Sequence, residues 1–148
     1  MFKTQVFNSE NRPTLQEKED IIDFLFESLE EYGDPKSDIE KAINYALKEI
    51  PSFGGFILVS YIHDILVGAV VINKTGMKDY IPENILVYIA IYPDQRGKGL
   101  GEKMVEEAIK IADGNIALHV EPDNPAKKLY EKLGFNNKYL EMRFNKTK

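Results

Sequence analysis

The chain has 148 residues, 43% of them hydrophobic and 29% charged, with a formal net charge of −5 and no cysteine. This length can bury a sizeable core as one domain over residues 1–148, and a chain without cysteine has neither disulfides nor thiolate ligands. The acidic balance argues against nucleic acid as a partner, because binding a phosphate backbone wants a basic face.

His63 and His119 stand apart with no clustered carboxylates, which argues against a metal site. The opening Met1–Phe7 is too short and polar for a signal sequence, and no apolar run approaches the roughly 20 residues of a membrane span. A cytoplasmic protein with no membrane partner is the expectation. No linker, repeat or low-complexity tract divides the chain.

In order, the first element is a strand at Lys3–Phe7. Thr14 with Glu17 three residues on makes a capping box for a helix whose apolar face is Ile21, Ile22, Leu25, Phe26 and Leu29, with Gly33 as its stop. A second helix starts at Pro35 behind Asp34, or at Ser37 paired with Glu40. Ile39, Ile43, Ala46, Leu47 and Ile50 form its core stripe, and Pro51 ends it. Phe56–Tyr61 and Ile65–Ile72 read as strands joined by a turn at Ile62-His63-Asp64, which makes His63 a turn residue. Residues 73 to 82 form a loop with Gly76, Asp79 and Pro82.

Residues 85 to 91, Ile-Leu-Val-Tyr-Ile-Ala-Ile, are apolar and β-prone, so they read as a buried strand that Pro93 ends. Gly97, Gly99 and Gly101 follow at alternate positions beside Arg96 and Lys98, at the start of a helix from Leu100 to Ala112. Glycines let main chain approach a ligand, and a helix start offers unpaired N–H groups and a positive dipole end. The loop is therefore an anion cradle, most simply for phosphate. A P-loop would need Gly, four residues, then Gly-Lys-Ser/Thr, and no such string occurs. A dinucleotide fingerprint fits Gly97 and Gly99, with Glu121 roughly 20 residues on, but its third small position falls on Glu102, which hinders close packing. A strand at Ile116–Glu121 and a last helix from Asn124-Pro125 to Leu133 come next. Tyr139–Phe144 reads as a closing strand.

Arg96-x-x-Gly99-x-Gly101 resembles the pyrophosphate-binding motif of the GCN5-related N-acetyltransferase (GNAT) family. Asn124, Ala126, Leu129-Tyr130-Glu131-Lys132 and Leu133-Gly134-Phe135 resemble the family's later segment. The likeness is close over Ile85–Phe135 and looser elsewhere. It implies an α/β GNAT fold, with a mixed sheet of about six to seven strands, helices on both faces, and a splay between strands 85–91 and 116–121. The first two helices would then border the acceptor cleft. It also implies acetyl-CoA as acyl donor, a primary amine acceptor and no metal, with a homodimer left open. Beyond Phe135 only one good strand remains where the family usually has two and a hairpin, which weakens inferences about acceptor and assembly.

Position by position, the resemblance gives main-chain roles to Ile89, Ala90 and Ile91, as oxyanion donor and pantetheine partner. It gives pyrophosphate contacts, chiefly through N–H groups, to Arg96, Gly97, Lys98, Gly99, Leu100 and Gly101. Lys98 would add charge or point to solvent. Asn124 matches a pantetheine ligand and is equally a helix cap before Pro125. Tyr130 matches the general acid, against a plain packing role beside Leu129 and Leu133. The histone-acetylating branch's catalytic Glu falls on Ile85, so it is not carried over. Glu83, Tyr88, His119 and Glu121 are the nearby titratable groups; no spacing singles one out, and Glu83 is the candidate base beside a water chain. A non-catalytic acyl-CoA-binding module is the rival reading.

Overall fold

The computed structural model describes residues 2–147. One sheet carries five strands in the order β1 (Phe2–Phe7), β2 (Gly55–Ile62), β3 (Ile65–Lys74), β4 (Asn84–Ile91) and β5 (Ile116–Leu118). Neighbours run antiparallel except β4 and β5, which are parallel. Four helices complete the α/β fold: α1 (Leu15–Leu29), α2 (Lys36–Leu47), α3 (Leu100–Ile111) and α4 (Ala126–Lys132).

Local chemistry explains most boundaries. Thr14 accepts the Glu17 N–H at 3.0 Å while Glu17 accepts the Thr14 N–H at 2.8 Å, the reciprocal box that starts α1. α1 gives way to a 3₁₀ turn at Glu30–Tyr32. Gly33 is needed there for space, since a Cβ would lie 2.7 Å from Leu29 Cβ. α2 starts at Lys36, so neither Asp34 nor the Ser37–Glu40 pair caps it, and it stops at Leu47 because Lys48 turns left-handed at φ 58°. Ile50 thus falls outside the helix and is exposed, contrary to the stripe expected from sequence. His63 and Asp64 both have positive φ, 52° and 64°, which closes the β2–β3 hairpin in two residues.

The sheet buries both faces. Ile57, Val59, Ala69, Val71, Tyr88 and Ala90 pack under α1 and α2, whose Ile21, Leu25, Ile39, Ile43 and Leu47 are fully covered. Phe56, Leu58, Val70, Ile72 and Leu86 face the other way, against Leu100, Met104 and Ala108 of α3. The alternation along each strand carries this division.

The strand count corrects the sequence reading. β5 is three residues long and not six, and residues 136 to 147 contain no strand. Tyr139 and Phe144 are 79% and 85% exposed. Their β-propensity is real, but a strand needs an edge to pair with, and β5 ends too soon to supply one.

α3 approaches the sheet most closely at Gly68, where an added Cβ would come within 2.3 Å of Met104 Sδ and 2.7 Å of Ser60 Oγ. Gly68→Ala should therefore overpack this face and cost about 1–3 kcal/mol in denaturant unfolding. An unchanged unfolding midpoint would mean that Met104 simply moves aside.

Candidate active site

β4 and β5 are pinned at one end and open at the other. They pair only at Asn84–Ile116, Ile85–Ala117 and Leu86–Leu118. Behind these pairs Asn84, 1% exposed, donates from Nδ2 to the carbonyls of Asp113 at 2.9 Å and Asn115 at 3.2 Å. Just past Leu86 the register slips: Ile72 faces Leu86 but Val71 faces Tyr88, so Val87 is a bulge. Val87 and Tyr88 consequently both lie on the α1/α2 side. A bulge bends its strand and increases the twist, and from here on β4 has no partner on the β5 side among the described residues. The expected splay is present, opening at residue 87.

Glu83 sits at the closed end. Its Oε1 accepts the Asn115 N–H at 2.7 Å and its Oε2 the Asp79 N–H at 3.1 Å. The bond from Asn115, then that from Asp79, holds its carboxyl below the ordinary carboxylate range. A carboxylate with both oxygens occupied, at the far end of β4 from the glycine loop, is a clamp on two loops, so the structure does not bring this candidate base to the site.

Along the open edge, Ile91 turns its carbonyl to Arg96 Nε at 3.1 Å. In an antiparallel ladder a residue offers both its N–H and C=O to the same side, and the sides alternate. Ile89 and Ile91 therefore present main-chain groups to the splay, whereas Ala90 belongs to the β3 ladder.

The glycine loop follows. Gly97 and Gly99 have φ of 77° and 83°, and a Cβ on either would meet nothing within 4 Å, so open space faces them. The N–H groups of Gly97, Lys98, Gly99, Leu100 and Gly101 make no main-chain hydrogen bond of good geometry among the described residues. Leu100 is buried and anchors the α3 start, while Lys98 is exposed and has no ion pair among the described residues. Arg96 departs from expectation. Its N–H goes to the Pro93 carbonyl at 3.2 Å, and its guanidinium reaches the Ser28 carbonyl at 2.7 Å and lies 3.6 Å from Glu30. It ties the loop to the end of α1 and offers the anion nothing directly.

On the far side of β5, Asn124 Oδ1 accepts the Ala126 N–H at 2.9 Å, the capping role. Its Nδ2 has no partner among the described residues. Leu129 seats α4 beside Gly101 and Ile91. Tyr130 is 6% exposed, its ring edge-on to Phe135 at 5.7 Å. Its hydroxyl has no hydrogen-bond partner among the described residues, and burial pushes its pKa up to about 12. The phenol is thus a proton holder at neutral pH.

The connection from α1 to α2 crosses the opening. Beyond the Arg96 tie, Tyr32 OH makes a long contact of 3.5 Å with the Asp123 carbonyl, after β5. Tyr88 OH donates to Asp34 Oδ2 at 2.5 Å. Burial and then Asp34 raise the Tyr88 phenol well above its ordinary value. The sequence reading missed Asp34, taking it only as a residue ahead of Pro35. His119 and Glu121 lie on the exposed segment after β5. Among the described residues no group of three metal-ligating side chains occurs, and no helix is long and apolar enough to cross a membrane.

The model of the Acetyltransferase (GNAT) family matches residues 18–135. No curated protein matches the chain. Among solved structures, a GNAT-family acetyltransferase from Streptococcus pneumoniae is similar at TM-score 0.71 and 17% identity, covering 100% of both chains. An aminoglycoside N-acetyltransferase in complex with CoA gives TM-score 0.71 and 14% identity over 99% of this chain and 95% of that one. A predicted acetyltransferase with acetyl-CoA from Clostridium acetobutylicum gives 0.69 and 13% over 97% and 96%. At such identities the likeness is one of fold.

The Glu83 clamp has a pH signature. Glu83→Gln turns one acceptor into a donor aimed at an N–H, so the variant should melt below the wild type at pH 7. Because the folded carboxyl lies below its ordinary value of 4.5, its stabilisation is present above that value and lost as pH falls through the folded value. The melting difference should shrink towards pH 3 in thermal scans, and equal melting at pH 7 would sink the clamp.

Proposed function

Since the chain belongs to the Acetyltransferase (GNAT) family, we propose that it transfers an acetyl group from acetyl-CoA to a primary amine of a small molecule, peptide or protein. It does so as a single domain in the cytoplasm. The observation that carries this reading is the run of N–H groups at Gly97–Gly101 without a main-chain hydrogen bond of good geometry, set beside an unpaired strand edge.

The residues fit the donor molecule. The N–H groups and the positive end of α3 suit a pyrophosphate, and the space over Gly97 and Gly99 lets it approach the main chain. The outward N–H and C=O of Ile89 and the N–H of Ile91, whose carbonyl is held by Arg96, suit an extended, amide-bearing arm that adds to β4 like a strand. Asn124 Nδ2 supplies a further donor. Bound there, acetyl-CoA presents a thioester whose carbonyl a neutral amine can attack.

A main-chain N–H on the Ile89–Ile91 edge steadies the negative charge that develops on the carbonyl oxygen. Tyr130 holds a proton at its hydroxyl for the departing sulfur. With Glu83 engaged at the closed end, no side-chain base is assigned, and the amine loses its proton to water. That same fact favours a second reading, a non-catalytic acyl-CoA-binding module; the unpartnered Tyr130 hydroxyl favours the enzyme.

Acetyl-CoA at 100-fold over its dissociation constant should add about 2.7 kcal/mol and raise the melting temperature by about 5–10 °C. A shift with NAD and none with CoA would overturn the assignment. Tyr130→Phe should keep acetyl-CoA affinity while turnover, followed by thiol release, falls by about 10²- to 10⁴-fold. Full turnover would reduce Tyr130 to a packing residue. Binding of CoA without turnover on any amine would favour the module.

A further inference from the structure

We propose that Asp34 is the anchor for the acceptor's ammonium group and that Tyr88 is the positioning residue that holds its carboxylate at the splay. The inference rests on the acetyltransferase reading and adds the acceptor's docking point to it. The splay is a gap through the sheet, with α3 and the glycine loop on one face and α1 and α2 on the other. A donor seated from the α3 face leaves the opposite face for the nucleophile. Tyr88 stands at that place: it follows the bulge directly, is 9% exposed, and points to the α1/α2 side. Its hydroxyl ends on a carboxylate that is itself exposed.

Asp34 does no capping work. The N-cap of α2 is Pro35, which has no side-chain acceptor, and Asp34 lies one residue outside it with its carboxylate turned towards β4. Oδ1 keeps no partner among the described residues, so one oxygen is fixed by Tyr88 and the other is free to receive a cation. The connection that carries Asp34 leaves α1 at Glu30, whose φ of 55° a non-glycine residue adopts at a cost.

The surrounding charge favours a cation. Asp38 lies near the Tyr88 hydroxyl, and Glu31, Glu121 and Asp123 lie around Tyr32. The neighbouring cations are paired with other carboxylates, Lys36 with Asp23 at 2.9 Å, Arg96 with Glu30 at 3.6 Å, and Arg143 with Glu141 at 2.6 Å; of these, Arg143 alone is also felt electrostatically by Asp34. An amine that is an ammonium ion in solution docks here by its charge and then releases one proton to solvent at this open lip. The neutral nitrogen forms the new C–N bond as the C–S bond breaks, and sulfur takes the proton held by Tyr130. The surplus proton on nitrogen leaves to solvent, from which Tyr130 regains its own, so one proton is released overall.

The test uses CoA-loaded protein with n-butylamine, 1,4-diaminobutane and kanamycin as probes, binding read by calorimetry and acetylation by thiol release with acetyl-CoA. At least one amine should bind the wild type, and Asp34→Asn should weaken it by about tenfold or more, raising KM more than it lowers kcat. Tyr88→Phe should give a smaller loss in the same direction, with acetyl-CoA affinity unchanged in both variants. Equal amine affinity in wild type and Asp34→Asn, or no binding of any of the three amines by the wild type, overturns the anchor while leaving donor binding intact. Failure of the wild type to bind acetyl-CoA is a different result and removes both readings.

Discussion

A parallel strand pair is held by evenly spaced, slanted hydrogen bonds and has no tight turn to close it. What grips the first residues of β4 and β5, and what deflects the rest, therefore decides where the two part. The grip is Asn84 and Glu83, which tie the start of β4 to the residues entering β5. The deflection is the bulge at Val87. Three ladder positions between them leave the remaining length of β4 as a bare edge inside the protein. Exposed edges are usually blunted because they template unwanted pairing. Here α4 on one side and the α1–α2 connection on the other shelter it, so its main-chain groups remain available to a ligand.

The glycine loop follows a related logic. Its one arginine is turned inward, spanning the end of β4 and the last turn of α1 with a fork of rigid donors. The anion is left to main-chain dipoles and the α3 terminus. Fixed dipoles need little reorganisation, whereas a flexible surface cation must be immobilised on binding. The loop is stiffened by its charge, and the charge is spent on the scaffold.

Patterns carried by near neighbours were legible in the sequence. The Thr14–Glu17 box, the His63-Asp64 turn, the glycine spacing and the Asn124 cap each depend on residues within a few positions of one another. The misreadings concern groups whose partners lie far along the chain. Glu83 meets Asn115, Asp34 meets Tyr88, and Arg96 meets Ser28, and no periodicity signals such meetings. Tyr139–Phe144 shows the complementary error: the composition suits a strand, but composition cannot show whether an edge is left for it. Ile50 looked like one more turn of α2 because the apolar period continues past Lys48, where the backbone has already reversed hand.

The sheet order has a kinetic side. β2, β3 and β4 form a meander of sequential neighbours, begun by a two-residue turn. β1 instead pairs Phe2 with Ile62, across both α1 and α2. Closing that long loop costs chain entropy that the hairpin does not, which favours the meander over the β1–β2 pairing as the earlier unit to form. The helical connection that carries Tyr32 and Asp34 is enclosed by that same long loop. The α1–α2 side of the splay is therefore completed by contacts of long sequence separation, such as Tyr32 with Asp123, which the meander does not need.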